Sequence, residues 1–209
     1  MGPGRSSTTG ARRRRRSPEV AEREIIAAAE ELLRERPFRD LTVDAVMLRT
    51  ELSRPSFYVY FRDRNHLVLR VVERFGAEMW TMSERWFDGT GPGGLRMRDA
   101  LEGVVAVFER HGPVLHALAD AATVDREVEV AYTALVQGFI DATALHIEAE
   151  IEAGRSLPLN ARETAGALIW MSERYLLSSL GRTQSVAPAT VIETLATIWT
   201  RVLYGARDG

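Results

Sequence analysis

The chain has 209 residues, of which 45% are hydrophobic and none is cysteine, which is enough for one helical domain or for a small module fused to a larger one. The lack of cysteine excludes disulfides, thiolate nucleophiles and cysteine-ligated metals, and the lack of a long apolar run or of a secretory signal predicts a cytoplasmic protein with no membrane partner. The formal net charge of −2 combines +5 over residues 1–70 with −7 over residues 71–209, so the N-terminal part is predicted to face a polyanion.

The first predicted elements form a short helical module behind a basic arm. Residues 1–17 contain Gly, Ser, Thr and Arg with almost nothing apolar, so we expect a disordered basic arm. Ser17 and Pro18 open a helix that Pro37 stops. Thr42 caps a short second helix, and a third begins at Ser53. The predicted module covers residues 18–64.

A longer helical body follows over residues 65–209. Asp63 caps a long helix, and Gly89–Gly94 (GTGPGG) ends it. Glycine and proline then separate the remaining helical patterns, including a predicted break at Gly112-Pro113. No segment alternates with a period of two, so the predicted fold is all-α with about nine helices. The later helices are predicted at residues 95–111, 113–122, 126–153, 160–180 and 188–204.

The segment Leu52–Phe61 (LSRPSFYVYF) is typical of the second short helix of a helix-turn-helix, which can enter the DNA major groove. Ser53 is expected to accept a hydrogen bond from the Ser56 amide, and Leu52 to pack against Phe57. Phe57 and Phe61 are predicted to face inward, and Tyr58 and Tyr60 to face DNA. The alternative from the residues alone is a core helix of an unrelated bundle.

The segment from Val20 to Leu69 resembles the DNA-binding domain of TetR-family transcriptional regulators. The resemblance rests on IIAAAEELL, TVDAV, LSRPSFYVYF and RDRNHLVL. It extends over nearly the full chain through FERHGPVL, WMSERYLLSSL and TLATIWTRVLYG, which are similar to a mycobacterial repressor of that family. It implies an all-helical homodimer whose first three helices bind DNA and whose remaining helices form a ligand pocket and a dimer interface.

Position by position, the resemblance implies which residues contact DNA. Matches to phosphate-contacting positions are Thr42, Ser56 and Tyr58; matches to base-facing positions are Arg54, Pro55 and Tyr60. Arg64 stands where the family usually has a lysine at the start of the fourth helix. The predicted DNA-binding set also includes Ser53 and the arginines of the arm, whose charge favours phosphate or minor-groove contacts. These arginines are Arg12, Arg13, Arg14, Arg15 and Arg16.

Two positions depart from the family pattern. Thr50-Glu51 stand where the family commonly has alanine and glycine, and that glycine relaxes a left-handed turn. A non-glycine residue in that conformation costs on the order of 1 kcal/mol, enough to shift the turn. Met47 replaces a usual small residue, so the second and third helices are expected to pack more loosely or differently. The operator sequence therefore does not transfer from the family.

The resemblance also implies a hydrophobic pocket in the body, although aromatic residues on helices are more often plain core. Thr143 and Ser172 would offer polar groups to an elongated lipophilic ligand. The family's tunnel carries asparagines where this chain has Ile169 and Ser172, so a different ligand is expected. The full predicted ligand-binding set is Phe108, Tyr132, Phe139, Thr143, Trp170, Met171, Ser172 and Trp199.

The sequence thus predicts a homodimeric repressor that binds a quasi-palindromic double-stranded DNA operator and is released by a lipophilic small-molecule effector. The dimer is predicted to form through the last two helices, around residues 165–180 and 191–204. No catalytic motif, metal site or cofactor is predicted: His146 and Glu150 share a helix face, but alternating acids and arginines are typical of a solvated surface. The alternative is a helical small-molecule-binding protein or enzyme whose N-terminal module no longer reads DNA specifically.

Overall fold

A computed structural model describes residues 17–88 and 93–205 of the chain. Within those ranges the regular secondary structure is entirely helical, with eight α-helices and one short 3-10 helix at Phe38–Asp40. The predicted all-α class is confirmed. The helices are α1 (Pro18–Glu35), α2 (Val43–Met47), α3 (Arg54–Tyr60), α4 (Arg64–Asp88), α5 (Gly93–Ala122), α6 (Arg126–Glu152), α7 (Ala161–Leu180) and α8 (Pro188–Tyr204).

The count is eight and not nine because α5 runs through Gly112-Pro113 without a break. Proline removes one helical hydrogen bond and would normally kink or end a helix. Here α5 packs along α4, α6, α7 and α8, and that packing outweighs the local preference. A Cβ on Gly112 would lie 2.0 Å from the Leu180 carbonyl oxygen, so the glycine permits close approach of α5 and α7.

Several helix starts follow the predicted capping chemistry. Thr42 Oγ1 accepts a hydrogen bond from the Ala45 amide at 3.1 Å at the start of α2. Asp63 Oδ1 accepts one from the His66 amide at 2.8 Å before α4. Two caps not singled out from the sequence, Asp125 and Asn160, do the same for α6 and α7. These bonds satisfy amides that have no partner inside the helix.

The N-terminal helices and the body share one continuous apolar core. Phe57 and Phe61 of the α3 segment, Ile25 of α1 and Leu67 of α4 are all at most 1% exposed. Helix α1 packs on both α4 and α5. Helix α4 contributes to the N-terminal core and continues into the body, so it connects the two parts covalently, and α5 adds packed contacts with α1 and the 3-10 helix.

Helix α6 is the one helix in the described ranges that is long and apolar enough to cross a membrane by length and composition. It packs against α4, α5 and α7, and Val128, Ile140 and Ile147 on one of its faces are buried. Helix α6 thus packs along one face on three neighbouring helices of the bundle.

Candidate DNA-recognition surface and internal cavity

The start of α3 is exposed and ordered by serine hydroxyls. Ser53, Arg54 and Pro55 are exposed, and Ser56 is half-buried. The Ser53 side chain does not cap the Ser56 amide as predicted; its Oγ lies 2.9 Å from Ser56 Oγ. The Ser56 amide instead donates to the Ser53 backbone carbonyl at 2.9 Å. Pro55 has no amide hydrogen, so one fewer donor in the first turn needs an acceptor.

The aromatic residues of α3 divide between core and surface. Phe57 and Phe61 are 0% and 1% exposed, with ring centroids 5.3 Å apart, so their predicted inward positions are confirmed. Tyr58 is 54% exposed and Val59 is 74% exposed. Tyr60 was predicted to face outward with Tyr58, but it is half-buried and packs against the core. The outward face of α3 therefore consists of Tyr58 and Val59 beyond the first turn.

Charged groups around α3 are paired on the surface. Arg54 Nε lies 3.0 Å from Asp44 Oδ1 of α2, and both side chains are more than half exposed. An exposed pair of this kind contributes little to stability, so Arg54 is free to exchange its partner. Arg64 is differently placed: its guanidinium carbon lies 4.6 Å from the centre of the Phe38 ring, and Nη1 donates to the Leu41 carbonyl at 3.4 Å. The Arg64 side chain is half-buried, so it contributes a packing contact with Phe38 as well as a positive charge.

The turn between α2 and α3 is built without the expected strain. The only positive φ angles in the described ranges belong to glycines, so Thr50 and Glu51 both have negative φ and the expected left-handed cost does not arise. Thr50 Oγ1 donates to the Met47 carbonyl at 3.0 Å and accepts from the Leu52 amide at 3.2 Å. The Glu51 amide donates to Glu24 Oε1 of α1 at 2.9 Å. Side-chain hydrogen bonds thus stabilise this turn, at the position where the family commonly has a glycine.

The remaining predicted DNA-contacting residues lie at the same end of the molecule or outside the described ranges. Thr42 is exposed at the start of α2. Met47, which replaces a smaller residue, is buried in the shared core at 6% exposure. The arm residues Arg12, Arg13, Arg14, Arg15 and Arg16 lie outside the described residues.

An internal cavity of about 140 Å³ lies between α4, α5, α6, α7 and α8. Its wall is mostly aliphatic and aromatic, which suits a lipophilic occupant. The helix-face periodicity is visible on α6, where Tyr132, Val136, Phe139 and Thr143 line it. The other lining residues are Val72, Phe75, Met79, Ser83, Trp86, Phe87, Met97, Ala100, Leu101, Val104, Phe108, Leu115, Leu118, Leu135, Ile169, Ser172, Glu173, Leu176 and Trp199.

Most of the predicted ligand-binding residues meet at this cavity. Those that line it are Phe108, Tyr132, Phe139, Thr143, Ser172 and Trp199. Trp170 and Met171 do not line it, and Trp170 is 44% exposed on the outer face of α7.

Sequence reasoning missed Glu173 and Leu176. With Ser172 facing the cavity, the spacing of three and four residues on a helix also places Ile169, Leu176 and Glu173 on that side, and all of them line the cavity. The helical spacing on α7 was therefore the sequence signal from which these two lining residues could have been predicted.

Two polar contacts are built into the cavity wall. Trp199 Nε1 donates to Ser172 Oγ at 2.9 Å, and both residues are buried. Tyr132 Oη donates to Glu173 Oε1 at 2.6 Å. Burial and the hydrogen bond to Glu173 raise the pKa of the Tyr132 hydroxyl well above its ordinary value. Tyr132 therefore stays protonated and acts as a donor to the carboxylate.

Polar contacts join α4 to the N-terminal module and to the body. Arg74 Nη1 donates to Glu30 Oε1 of α1 at 2.9 Å, and Glu30 is 4% exposed. Burial raises the pKa of Glu30 even though Arg74 opposes that shift. At the start of α4, Asn65 Nδ2 donates to Asp125 Oδ2, which precedes α6, at 3.0 Å. A shift of α4 would therefore be transmitted to α1 and to the base of α6.

Two family profiles match the chain in succession. The profile described as "Bacterial regulatory proteins, tetR family" matches residues 25–71. The profile described as "Transcriptional regulator EthR, C-terminal domain" matches residues 97–205. The first match contains α2, α3 and the surface around them, and the second contains most of the cavity wall.

Whole-chain relatives carry the same two parts. The HTH-type transcriptional regulator EthR of Mycobacterium tuberculosis is 34% identical over 204 residues, which is 94% of this chain and 93% of that protein. EthR of Mycolicibacterium smegmatis is 29% identical over 199 residues, covering 94% and 92%. In fold, the chain is similar to NalD of Pseudomonas aeruginosa, a repressor of a multidrug efflux pump, with a TM-score of 0.73, 20% identity, and coverage of 92% of this chain and 100% of that one.

Proposed function

The chain belongs to the TetR family of bacterial transcriptional regulators, with a C-terminal domain of the EthR type, and we propose that it is a ligand-responsive repressor. It would act in the cytoplasm, bind a quasi-palindromic operator as a homodimer, and leave the DNA when a lipophilic small molecule enters the cavity. The relatives are named as transcriptional regulators and not as enzymes.

The observation that carries the proposal is the course of α4. Its first residues lie directly after α3, where Arg64 contacts Phe38. Its middle supplies Val72, Phe75 and Met79 to the cavity wall. One continuous helix thus reaches from the DNA-recognition surface to the cavity, so an occupant that moves α4 would also move α3.

DNA reading is assigned to the outward surface of α3 and the start of α2. Arg54 has the guanidinium geometry that suits a guanine edge, and the Tyr58 hydroxyl suits a phosphate. Val59, 74% exposed, is available to a thymine methyl. Thr42 and Ser53 add hydroxyls beside them. The arm arginines would add sequence-independent phosphate binding.

The proposed dimer places two copies of α3 on the two halves of the operator. Helices α7 and α8 pack on each other and would form a four-helix seam with the partner, around residues 165–180 and 191–204. Trp170 on α7 is 44% exposed, which is compatible with this seam because aromatic residues are enriched at protein–protein interfaces.

Release would follow from a population shift. Two α3 helices in successive major grooves must stand about one DNA turn, or a multiple, apart. An effector that binds more tightly to a dimer with a different spacing shifts the population away from the DNA-binding form. Only the difference in effector affinity between the two forms lowers operator affinity.

The proposal is tested by selecting DNA from a random pool with the full-length protein and then measuring binding by fluorescence anisotropy at fixed salt. A palindromic selected sequence, bound by two chains and released by a lipophilic compound found in a thermal-shift screen, is the expected result. Selection of no sequence, or an effector that binds without releasing DNA, would contradict it.

The alternative, a ligand-binding protein or enzyme whose N-terminal module has lost DNA reading, rested on the turn at Thr50-Glu51. Side-chain hydrogen bonds hold that turn with negative φ angles, so no observation of the turn now favours this alternative over the repressor.

A further inference from the structure

We propose that the cavity takes a lipophilic amine in its protonated form, with the ammonium group paired to Glu173. This inference rests on the proposed function in one respect, that the cavity is the effector site. It adds the chemical class of the effector, which neither the family profiles nor the relatives supply.

The composition of the wall singles out Glu173. Among the lining residues that the structure describes, it is the only charged one, and it stands in an otherwise aliphatic and aromatic surface. Its side chain is 12% exposed. A carboxylate is rarely buried in apolar surroundings unless it is paired, because removing a charge from water carries a large desolvation cost.

The pairing of Glu173 within the chain is incomplete. Tyr132 Oη donates to Oε1 at 2.6 Å. Oε2 is buried and has no hydrogen-bond partner in the described structure. The Arg174 Nε atom lies 4.0 Å from Oε2, beyond hydrogen-bond distance, and the Arg174 side chain is 77% exposed. Its charge is therefore solvated and does not replace a direct donor.

An ammonium group supplies what this carboxylate lacks. It carries a positive charge and up to three donors, and a carboxylate has about four acceptor sites. Charge-assisted hydrogen bonds of this kind are about twice as strong as neutral ones. A neutral alcohol offers one donor and no charge, and a carboxylate ligand would be repelled.

Two other polar side chains of the wall already form hydrogen bonds within the protein. Ser83 Oγ donates to the Met79 carbonyl at 3.0 Å, and Ser172 Oγ accepts from Trp199 at 2.9 Å. Thr143 also lines the cavity, and Trp86 Nε1 is buried without a hydrogen-bond partner among the described residues, so both offer neutral polar contacts, whereas Glu173 offers a charged one. The volume of about 140 Å³ is close to that of engineered cavities, about 150 Å³, that hold benzene, so the apolar part fits a single aromatic ring.

Three probes that share one aromatic ring and differ in the polar group separate the possibilities: benzylamine, benzyl alcohol and benzoate. Their binding to the DNA-free, full-length protein is measured by isothermal titration calorimetry at pH 7. We expect the amine to bind at least about tenfold more tightly than the alcohol, which corresponds to about one charge-assisted hydrogen bond, and the acid to bind most weakly.

Two variants test whether the preference for the amine over the alcohol comes from the charge of Glu173. Glu173→Gln keeps the shape of the side chain and removes its charge, so the ratio of amine affinity to alcohol affinity should fall from about tenfold to about one. Tyr132→Phe removes the donor to Oε1 and keeps the carboxylate, so the amine preference should remain. A circular dichroism spectrum and a cooperative thermal transition like those of the unsubstituted protein show that each variant is folded.

Equal binding of amine and alcohol to the unsubstituted protein, or binding of none of the three, would overturn the inference. So would an amine preference that survives in Glu173→Gln. The proposed function fails separately: an amine that binds through Glu173 without releasing DNA contradicts repression by effector release and leaves the ligand class intact.

Discussion

Arg54 at the start of α3 and Asp44 in α2 form an ion pair, with 3.0 Å between Nε and Oδ1. The pair lies on the surface to which we assign DNA reading. Asp44 places a negative charge where phosphates would approach, and it occupies a guanidinium that could otherwise contact DNA. If this surface binds DNA as proposed, Asp44 would lower its affinity for DNA.

Replacing Asp44 by asparagine should strengthen DNA binding. With the charge gone, Arg54 is released and a repulsion is removed, which we expect to tighten operator binding about fivefold at low salt. Anisotropy titrations at one fixed salt concentration measure this. Asp141→Asn is the matched control, because Asp141 is an exposed acid in the middle of α6 that pairs with Arg162 of α7. Equal affinities for Asp44→Asn and the unsubstituted protein would contradict the assignment.

Truncating Phe57 should mainly lower stability, whereas truncating its neighbour Tyr58 should mainly weaken DNA binding. Phe57→Ala removes a fully buried ring and should lower the free energy of unfolding by about 3–5 kcal/mol. Tyr58→Ala removes an exposed ring and should lower it by less than about 1 kcal/mol, while weakening DNA binding. Urea unfolding followed by circular dichroism gives both energies. Similar losses for the two variants would show that the inward and outward sides of α3 are misassigned.

The buried contact between Trp199 and Ser172 should contribute to stability. Ser172→Ala leaves the indole N–H without its acceptor at 2.9 Å, at an expected cost of about 1–3 kcal/mol in the free energy of unfolding. Ser178→Ala is the control on the same helix, since Ser178 is exposed and its hydroxyl donates to the Tyr175 carbonyl of its own helix. We expect the control to change the unfolding energy by less than about 0.5 kcal/mol; equal losses would contradict a specific role for Ser172.

His111 should make stability depend on pH. Burial lowers the pKa of His111 below the ordinary 6.5, although Glu78 opposes the shift. The unfolded chain therefore binds a proton before the folded chain does, so the free energy of unfolding should fall as pH drops below about 6.5. Over pH 7.5 to 5.5, His111→Gln should show a shallower decrease in urea unfolding than the unsubstituted protein. Parallel curves would be the contrary result.

Local chemistry made much of the N-terminal module predictable. Pro37 and the caps at Thr42 and Asp63 lie at helix boundaries in the structure, because each acts on amides within a few residues of itself. The inward positions of Phe57 and Phe61 followed from the spacing of four residues.

The remaining features depended on contacts distant in sequence. The local pattern at Pro113 predicts the end of a helix. Helix α5 nevertheless continues through Pro113, because α5 packs along its length on other helices. The turn at Thr50-Glu51 is held by Glu24 of α1, a partner that no local pattern indicates. In the cavity, Trp170 was chosen by residue type, whereas the helical spacing places Glu173 on the lining face of α7.

The central claim is that α3 reads a specific DNA sequence through Arg54 and Tyr58. Its most direct test is the ratio of affinities for the selected operator and for scrambled DNA, measured at the same salt for the unsubstituted protein and for Arg54→Ala/Tyr58→Ala. We expect a ratio of about a thousandfold or more for the unsubstituted protein. In the double variant the ratio should collapse while salt-dependent binding to scrambled DNA remains. A ratio near one for the unsubstituted protein, or an unchanged ratio in the double variant, would contradict the claim.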